Sequence, residues 1–304
     1  MIIQDVPKEF QPKYISTYPV YSSGKNIEEI FYDYFTKEKE RIDTDYVYLP
    51  VFWTSYYIIN NYGKNIKRLL DWLDNIDTTK KYFTVVQYDS GICVNNLNIP
   101  ITVFSAGGGG KNNQNTFKGK AITYANLHRE IYEGSSGDFI IPLTCQPEFS
   151  RISLKKTIFC SFVGRLDTHF CRYSIFNTLK RDKKFKFVNN VNIEMYKKIL
   201  NSSIFTLAPR GYGFTSFRLY EAIFSGSIPI YVWYDKLCLP FQEELKWDKF
   251  SVIIHSDDIN KLPKILEDCN INEMQKELEK VRDKFKFDST FSYILRKIKR
   301  NIET

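Results

Sequence analysis

The sequence predicts an α/β protein of two domains, each a mostly parallel sheet covered by helices, with a cleft between them. Three observations carry that expectation. Strand-like and helix-like segments alternate through nearly the whole chain, the pattern that βαβ units produce. The alternation runs through two halves, which meet in the polar stretch PEFSRISLKK (147–156). The chain has 304 residues and 43% hydrophobic content, enough for a core in each half. The expected boundaries are 1–152 for a first domain, 153–286 for a second, and 287–304 for a terminal helix able to pack back on the first.

In the first half, residues 26–41 place Ile27, Ile30, Phe31 and Tyr34 on one helical face. YVYLPVFW (46–53) has the apolar content of a buried strand, and a helix follows near 62–75. Further strands are expected at YFTVVQY (82–88), IPITVFSA (99–106) and DFIIPL (138–143). Between the last two, GGGGKNNQNTFKG (107–119) is the most loop-like stretch, and its glycines (107–110), with no helix at phosphate-loop spacing after them, read as a mobile acceptor-side loop ahead of a nucleotide cradle. The second half is more regular. Strands at 156–164, 185–189, 203–209, 227–233 and 250–255 alternate with helices at 170–181, 192–201 and 215–226. Gly226 stops the last of these. Helices at 257–268 and 272–285 follow, the second with Met274, Leu278, Val281 and Phe285 on one face. The tail sets Phe291, Ile294, Leu295 and Ile298 near helical spacing.

The net charge of +8 attracts anions of any kind and selects no partner more finely. The basic clusters at 180–186 and 296–300 read as solvated faces, so nucleic-acid binding rests on charge alone. MIIQDVPKEF has no positive n-region or long apolar run, and no later segment reaches the roughly 18 apolar residues of a membrane span. The six cysteines show no CxxC pair or metal-ligand spacing. A cytoplasmic protein with reduced thiols is the expectation.

The informative segment is APRGYGFTSFRLYEAIFSGSIPIYV (208–232). A strand delivers the chain to Arg210, Gly211, Tyr212 and Gly213, and a helix opens at Thr215-Ser216. Glycines let backbone approach a ligand, and the helix N-terminus offers free N–H groups suited to a diphosphate. Arg210 and Arg218 add fork-shaped donors, and Glu221, five residues past Ser216, is placed for ribose hydroxyls. In SFVGRLDTHFCR (161–172), Gly164 and Arg165 fall at a strand end, and Arg172 follows two helical turns on.

With SFVGR, PRGYGFTSFRLYEAIFSGSIPIYV, Tyr234-Asp235, LPF (239–241) and WDKFSVII (247–254) in that order, the second half resembles the exostosin glycosyltransferases. The resemblance implies two Rossmann-like domains facing a cleft, the GT-B architecture. It implies transfer with inversion of a sugar from a nucleotide diphosphate donor, UDP by family habit, to a hydroxyl of a glycan acceptor. The second domain would hold the donor and the first would face the acceptor. It also implies phosphate or ribose roles for Arg165, Arg210, Ser216, Arg218 and Glu221. The first half matches more loosely, and no catalytic base is carried over from it.

An inverting displacement needs a base opposite the departing diphosphate and positive charge beside it. The D-x-D at Asp43-Thr44-Asp45 precedes a strand, where metal-dependent transferases would have it after one, so no metal is expected. Asp89, after the strand 82–88 and before Ser90-Gly91, is the first candidate for the base. His128, His169 and Asp235 are lesser candidates for base or acceptor contact. The alternative function is a nucleotide-sugar- or glycan-binding protein without catalysis, which would keep the donor residues and show no turnover. The sugar, the acceptor and the oligomeric state are not legible.

Overall fold

The structure, a computed structural model, describes residues 1–13, 25–92, 94, 97, 99–114, 133–144 and 149–299. The elements in chain order are β1 (Ile2–Ile3), α1 (Ile27–Glu38), β2 (Tyr46–Tyr48), α2 (Trp53–Ile59), α3 (Lys67–Leu73), β3 (Lys81–Val86) and β4 (Ile101–Ser105). There follow β5 (Gly109–Gln114), β6 (Glu133–Ser136), β7 (Phe139–Ile140), β8 (Ile158–Val163), α4 (Phe170–Leu179), β9 (Phe185–Val188) and α5 (Ile193–Ser202). The last are β10 (Ser203–Pro209), α6 (Phe217–Phe224), β11 (Ile228–Trp233), β12 (Val252–His255), α7 (Leu262–Glu267), α8 (Ile271–Val281) and α9 (Phe287–Ile298). The described residues form two compact units: 1–114, 133–144 and 287–299 in the first, 149–286 in the second.

The first unit holds a parallel sheet of order β1-β2-β3-β4-β7, with β5 and β6 as a separate antiparallel pair. Alternation along β2 and β3 sends Val47, Tyr82 and Val86 to one face, where Trp53 and Tyr57 of α2 and Leu69 and Leu73 of α3 cover them. Tyr48 and Phe83 point to the other face. There the Phe35 ring of α1 lies 5.2 Å from Phe83 and 4.9 Å from Phe291 of α9. The Phe35, Tyr48, Phe83 and Phe291 rings are thus core. β2 is shorter than YVYLPVFW suggested: Pro50 has no N–H for the ladder, and Trp53 already belongs to α2, a helix the sequence did not announce. On α1, Ile27, Phe31 and Phe35 are the buried apolar side chains, while Ile30 and Tyr34 are half-buried.

In the second unit, all five strands are parallel in the order β12-β11-β10-β8-β9. The chain starts at β8, moves to β9 on one side, then returns past β8 to build β10, β11 and β12 on the other. The order therefore reverses between β8 and β10, and their carboxyl ends form a topological switch point, where open α/β sheets bind ligands. Phe162, Phe205, Leu207, Ile230 and Val232 bury the sheet against Ile175 and Leu179 of α4 and Leu262 and Leu266 of α7. Two parallel α/β units in one chain are the composition that the GT-B architecture requires. No helix among the described residues is long and apolar enough to cross a membrane.

Candidate functional site

Two loops open at the switch point. β8 runs into Gly164-Arg165, and β10 into Arg210-Gly211-Tyr212-Gly213. Arg172, in the first turn of α4, ties them together. Its Nη1 donates to the Arg165 carbonyl at 3.1 Å, its Nε to that of Arg210 at 2.8 Å and its Nη2 to that of Pro209 at 3.3 Å. A planar guanidinium meets these carbonyls with a rigid, spread fork of N–H donors that a lysine's compact ammonium does not reproduce.

Arg210 is engaged in the same way. It is 1% exposed, and its Nε and Nη2 donate to the carbonyls of Gly213 and Tyr212 at 3.1 and 3.0 Å. Its Nη1 pairs with the Asp235 carboxylate. The sequence assigned Arg210 to a phosphate, but its three nitrogens hold the loop that surrounds it. Asp235, a lesser candidate for the base, is the counterion of that arginine. Arg210→Ala should therefore act first on stability, because it strands a carboxylate and frees two carbonyls. Breaking such a pair costs roughly 3–5 kcal/mol. Urea denaturation should show a clearly lowered midpoint, and a variant as stable as its parent would contradict this role.

Arg165 lies at the surface in a fork with Asp167, at 2.8 and 2.6 Å. With Leu166, Asn189 and Asn190 these two border a cleft of about 400 Å³ at the ends of β8 and β9.

Arg218 differs from these. It is 9% exposed, its guanidinium lies 4.6 Å from the centre of the Phe162 ring, and its buried Nε and Nη1 have no hydrogen-bond partner among the described residues. Room for it comes from Gly164, whose φ is +142° and where a Cβ would stand 2.2 Å from Arg218 Nη2. The buried hydroxyl of Thr215 is likewise without a partner there. Ser216 caps α6, its Oγ accepting the Arg218 N–H at 3.2 Å, and the Gly211 N–H closes the loop on the Thr215 carbonyl at 3.1 Å. Five residues on, Glu221 accepts the Tyr196 hydroxyl on Oε2, and its Oε1 has no hydrogen-bond partner among the described residues. Burial pushes the Glu221 carboxyl up to about 8. An unmet buried donor or acceptor costs roughly 1–3 kcal/mol, so three such side chains on one strand–turn–helix mark a candidate seat for a ligand.

His169 caps α4, its Nδ1 accepting the Cys171 N–H at 3.3 Å. That bond engages the Nδ1 lone pair, so Nδ1 is already committed to the helix cap and not to an acceptor proton. His128 lies outside the described residues.

In the first unit, Asp89 follows the end of β3 and its Oδ1 accepts the N–H and the hydroxyl of Ser90 at 2.7 and 3.1 Å. The glycine run is not the mobile loop expected. Residues 107–110 are buried, and a Cβ on Gly109 would lie 2.1 Å from the Ser90 carbonyl carbon. The run packs backbone to backbone against the turn that carries Asp89, and the Gly109 N–H donates to the Asp89 carbonyl at 3.1 Å.

Sequence reasoning missed Glu28 and Tyr196. Glu28 is wholly buried and its Oε1 accepts the N–H and hydroxyl of Thr54, at 3.1 and 2.6 Å, and the N–H of Gln87 at 3.0 Å. Burial raises its pKa, and the bond to Gln87 fixes the backbone two residues before Asp89. A carboxylate in the first turn of a helix looks like ordinary dipole pairing in sequence. Only its tertiary partners distinguish it. The D-x-D at 43–45 lies in the turn before β2, at the opposite end of that sheet from Asp89.

Fold and site define an α/β protein whose second unit gathers unmet buried polar groups, one of them a cation, at its switch point. The chain belongs to the exostosin GT47 family: it matches the Exostosin GT47 domain over residues 103–269, more than half of its length. A probable glucuronosyltransferase of rice is 34% identical over 95 residues, 31% of this chain and 22% of the relative. A probable glycosyltransferase of Arabidopsis thaliana is 37% identical over 73 residues, 24% of this chain and 15% of the relative. An exostosin-1 homologue of Caenorhabditis elegans is 34% identical over 71 residues, 23% and 18% of the two chains. The matched stretch thus spans less than a quarter of each of these relatives. Among solved structures, TarM aligns over 86% of this chain and 56% of its own at 10% identity, with a TM-score of 0.42. The pneumococcal O-GlcNAc transferase GtfA, solved with UDP and GlcNAc, aligns over 88% and 60% at 13% identity, with a TM-score of 0.40.

Proposed function

We propose that this chain is a glycosyltransferase that moves a sugar from a nucleotide diphosphate, UDP by choice, to a hydroxyl of a glycan acceptor with inversion at the sugar carbon. The observation that carries the reading is Arg218, a buried guanidinium at the switch point whose Nε and Nη1, like the nearby Thr215 hydroxyl, have no partner among the described residues. Both are donors, and a diphosphate is the acceptor-rich group that suits them. Glu221 Oε1 then takes the ribose hydroxyls. The names of the plant relatives support sugar transfer.

The chemistry follows from charge. As the bond between the sugar carbon and the phosphate oxygen breaks, negative charge grows on the diphosphate, where Arg218 and the α6 N-terminus stand. On the opposite face a carboxylate takes the acceptor proton while the acceptor oxygen bonds to the sugar carbon; Asp89 is the candidate. With a guanidinium in place, the reading includes no metal.

Titration calorimetry with UDP in EDTA tests it. Binding is expected in the chelator and should tighten as pH rises toward about 8, where the buried Glu221 carboxyl ionises to receive ribose hydroxyls. The same raised pKa lowers stability: the folded carboxyl holds its proton from about 4.5 to about 8 while the unfolded one does not, so stability falls as pH rises across that window. Glu221→Gln should flatten the pH dependence of binding. No UDP binding, or binding only with added Mn²⁺, would overturn the reading.

A further inference from the structure

One side chain of the switch-point loop is held out of the protein. Tyr212 is 52% exposed, while Arg210, Phe214 and Thr215 around it are 1%, 3% and 2% exposed. An exposed aromatic on a floppy loop would be unremarkable, but this loop is braced. The Tyr212 and Gly213 carbonyls are bound by Arg210, the Pro209 and Arg210 carbonyls by Arg172, and the Gly211 N–H by the Thr215 carbonyl. The ring is thus displayed from a fixed backbone.

Its place along the chain is equally informative. The unmet donors of Thr215 and Arg218 stand at the start of α6. Glu221 lies five residues past Ser216, roughly 7.5 Å further along the helix axis at 1.5 Å per residue. Tyr212 lies four residues before Ser216, in the loop that joins β10 to the start of α6. A nucleotide sugar with its diphosphate on Arg218 and its ribose at Glu221 would extend its sugar beyond the helix N-terminus, on the side of the loop that carries Tyr212.

We infer that Tyr212 is the platform on which the donor's sugar ring stacks. This rests on the proposed seating of the nucleotide and adds the residue that meets the transferred group. The negative face of the ring meets the apolar C–H face of a pyranose, and a fixed aromatic gives contact area at small entropic cost.

The test compares UDP with UDP-glucuronate and UDP-GlcNAc by calorimetry in the parent, Tyr212→Ala and Tyr212→Phe. In Tyr212→Ala, affinity for the better UDP-sugar should fall roughly 2–10-fold, the scale of one aromatic contact, with UDP affinity unchanged. Tyr212→Phe should bind as the parent does, because the face and not the hydroxyl makes the contact. An equal loss for UDP and UDP-sugar would place the ring under the base and overturn the inference, as would no loss. If the parent binds none of the three nucleotides, the seat itself is wrong and the platform falls with it. Parent binding with an unaffected Tyr212→Ala removes the platform alone.

Discussion

Asp89→Asn is expected to lower turnover by roughly 10²–10⁴-fold, the worth of a positioned general base. The substitution keeps the size of the side chain, and its amide oxygen can still accept the Ser90 N–H and hydroxyl that Oδ1 accepts now. The turn should therefore survive, and circular dichroism and melting should match the parent. What is lost is the ability to take a proton. Donor affinity should stay constant, because Asp89 belongs to the first unit and the donor seat to the second. Asp89 follows a strand end of its parallel sheet, and the buried glycine run and the Glu28 network brace the turn from two sides. Single-turnover rates with a preloaded UDP-sugar and an accepted glycan separate chemistry from binding. Near-parental turnover in a well-folded Asp89→Asn protein would move the base elsewhere.

Arg218→Ala should have the second large effect, and of the opposite kind. A hydrogen bond from a charged donor to a phosphate contributes on the order of 1.5–3 kcal/mol, so donor affinity should drop roughly 10–150-fold. Stability should fall little or rise, because a buried guanidinium whose Nε and Nη1 have no partner among the described residues is itself unfavourable. That pairing of outcomes separates Arg218 from Arg210, whose loss should damage the fold. Arg218→Lys should recover only part of the affinity, since one ammonium cannot reproduce two fixed N–H directions. Calorimetry with UDP alongside urea denaturation reads both quantities. Parental affinity in the alanine variant, or a collapse in stability with it, would return Arg218 to a structural role.

The sequence by itself determined the strand–helix alternation of both halves and the segment in which the proposed donor seat lies. Those features rest on local periods and on glycine and proline chemistry, which a one-dimensional reading can see. The run from Pro209 to Glu221 was legible because strand, turn, helix cap and charge are contiguous in it. Its allocation among the arginines was not. Arg165, Arg172, Arg210 and Arg218 look alike in sequence, and only the fold makes the first a surface partner of Asp167, the next two ties for the switch-point loops, and the last a buried cation with nitrogens to spare. The glycine run shows the same limit. Four consecutive glycines suggest freedom, but here they let two backbones touch, a contact between residues about 20 apart that no local signal encodes. Glu28, too, gains its meaning only from Thr54 and Gln87, 26 and 59 residues away. The strand order that creates the switch point is likewise a property of the sheet. Local chemistry is written along the chain, whereas the commitment of each charge depends on which distant carbonyl or carboxylate the fold brings to it.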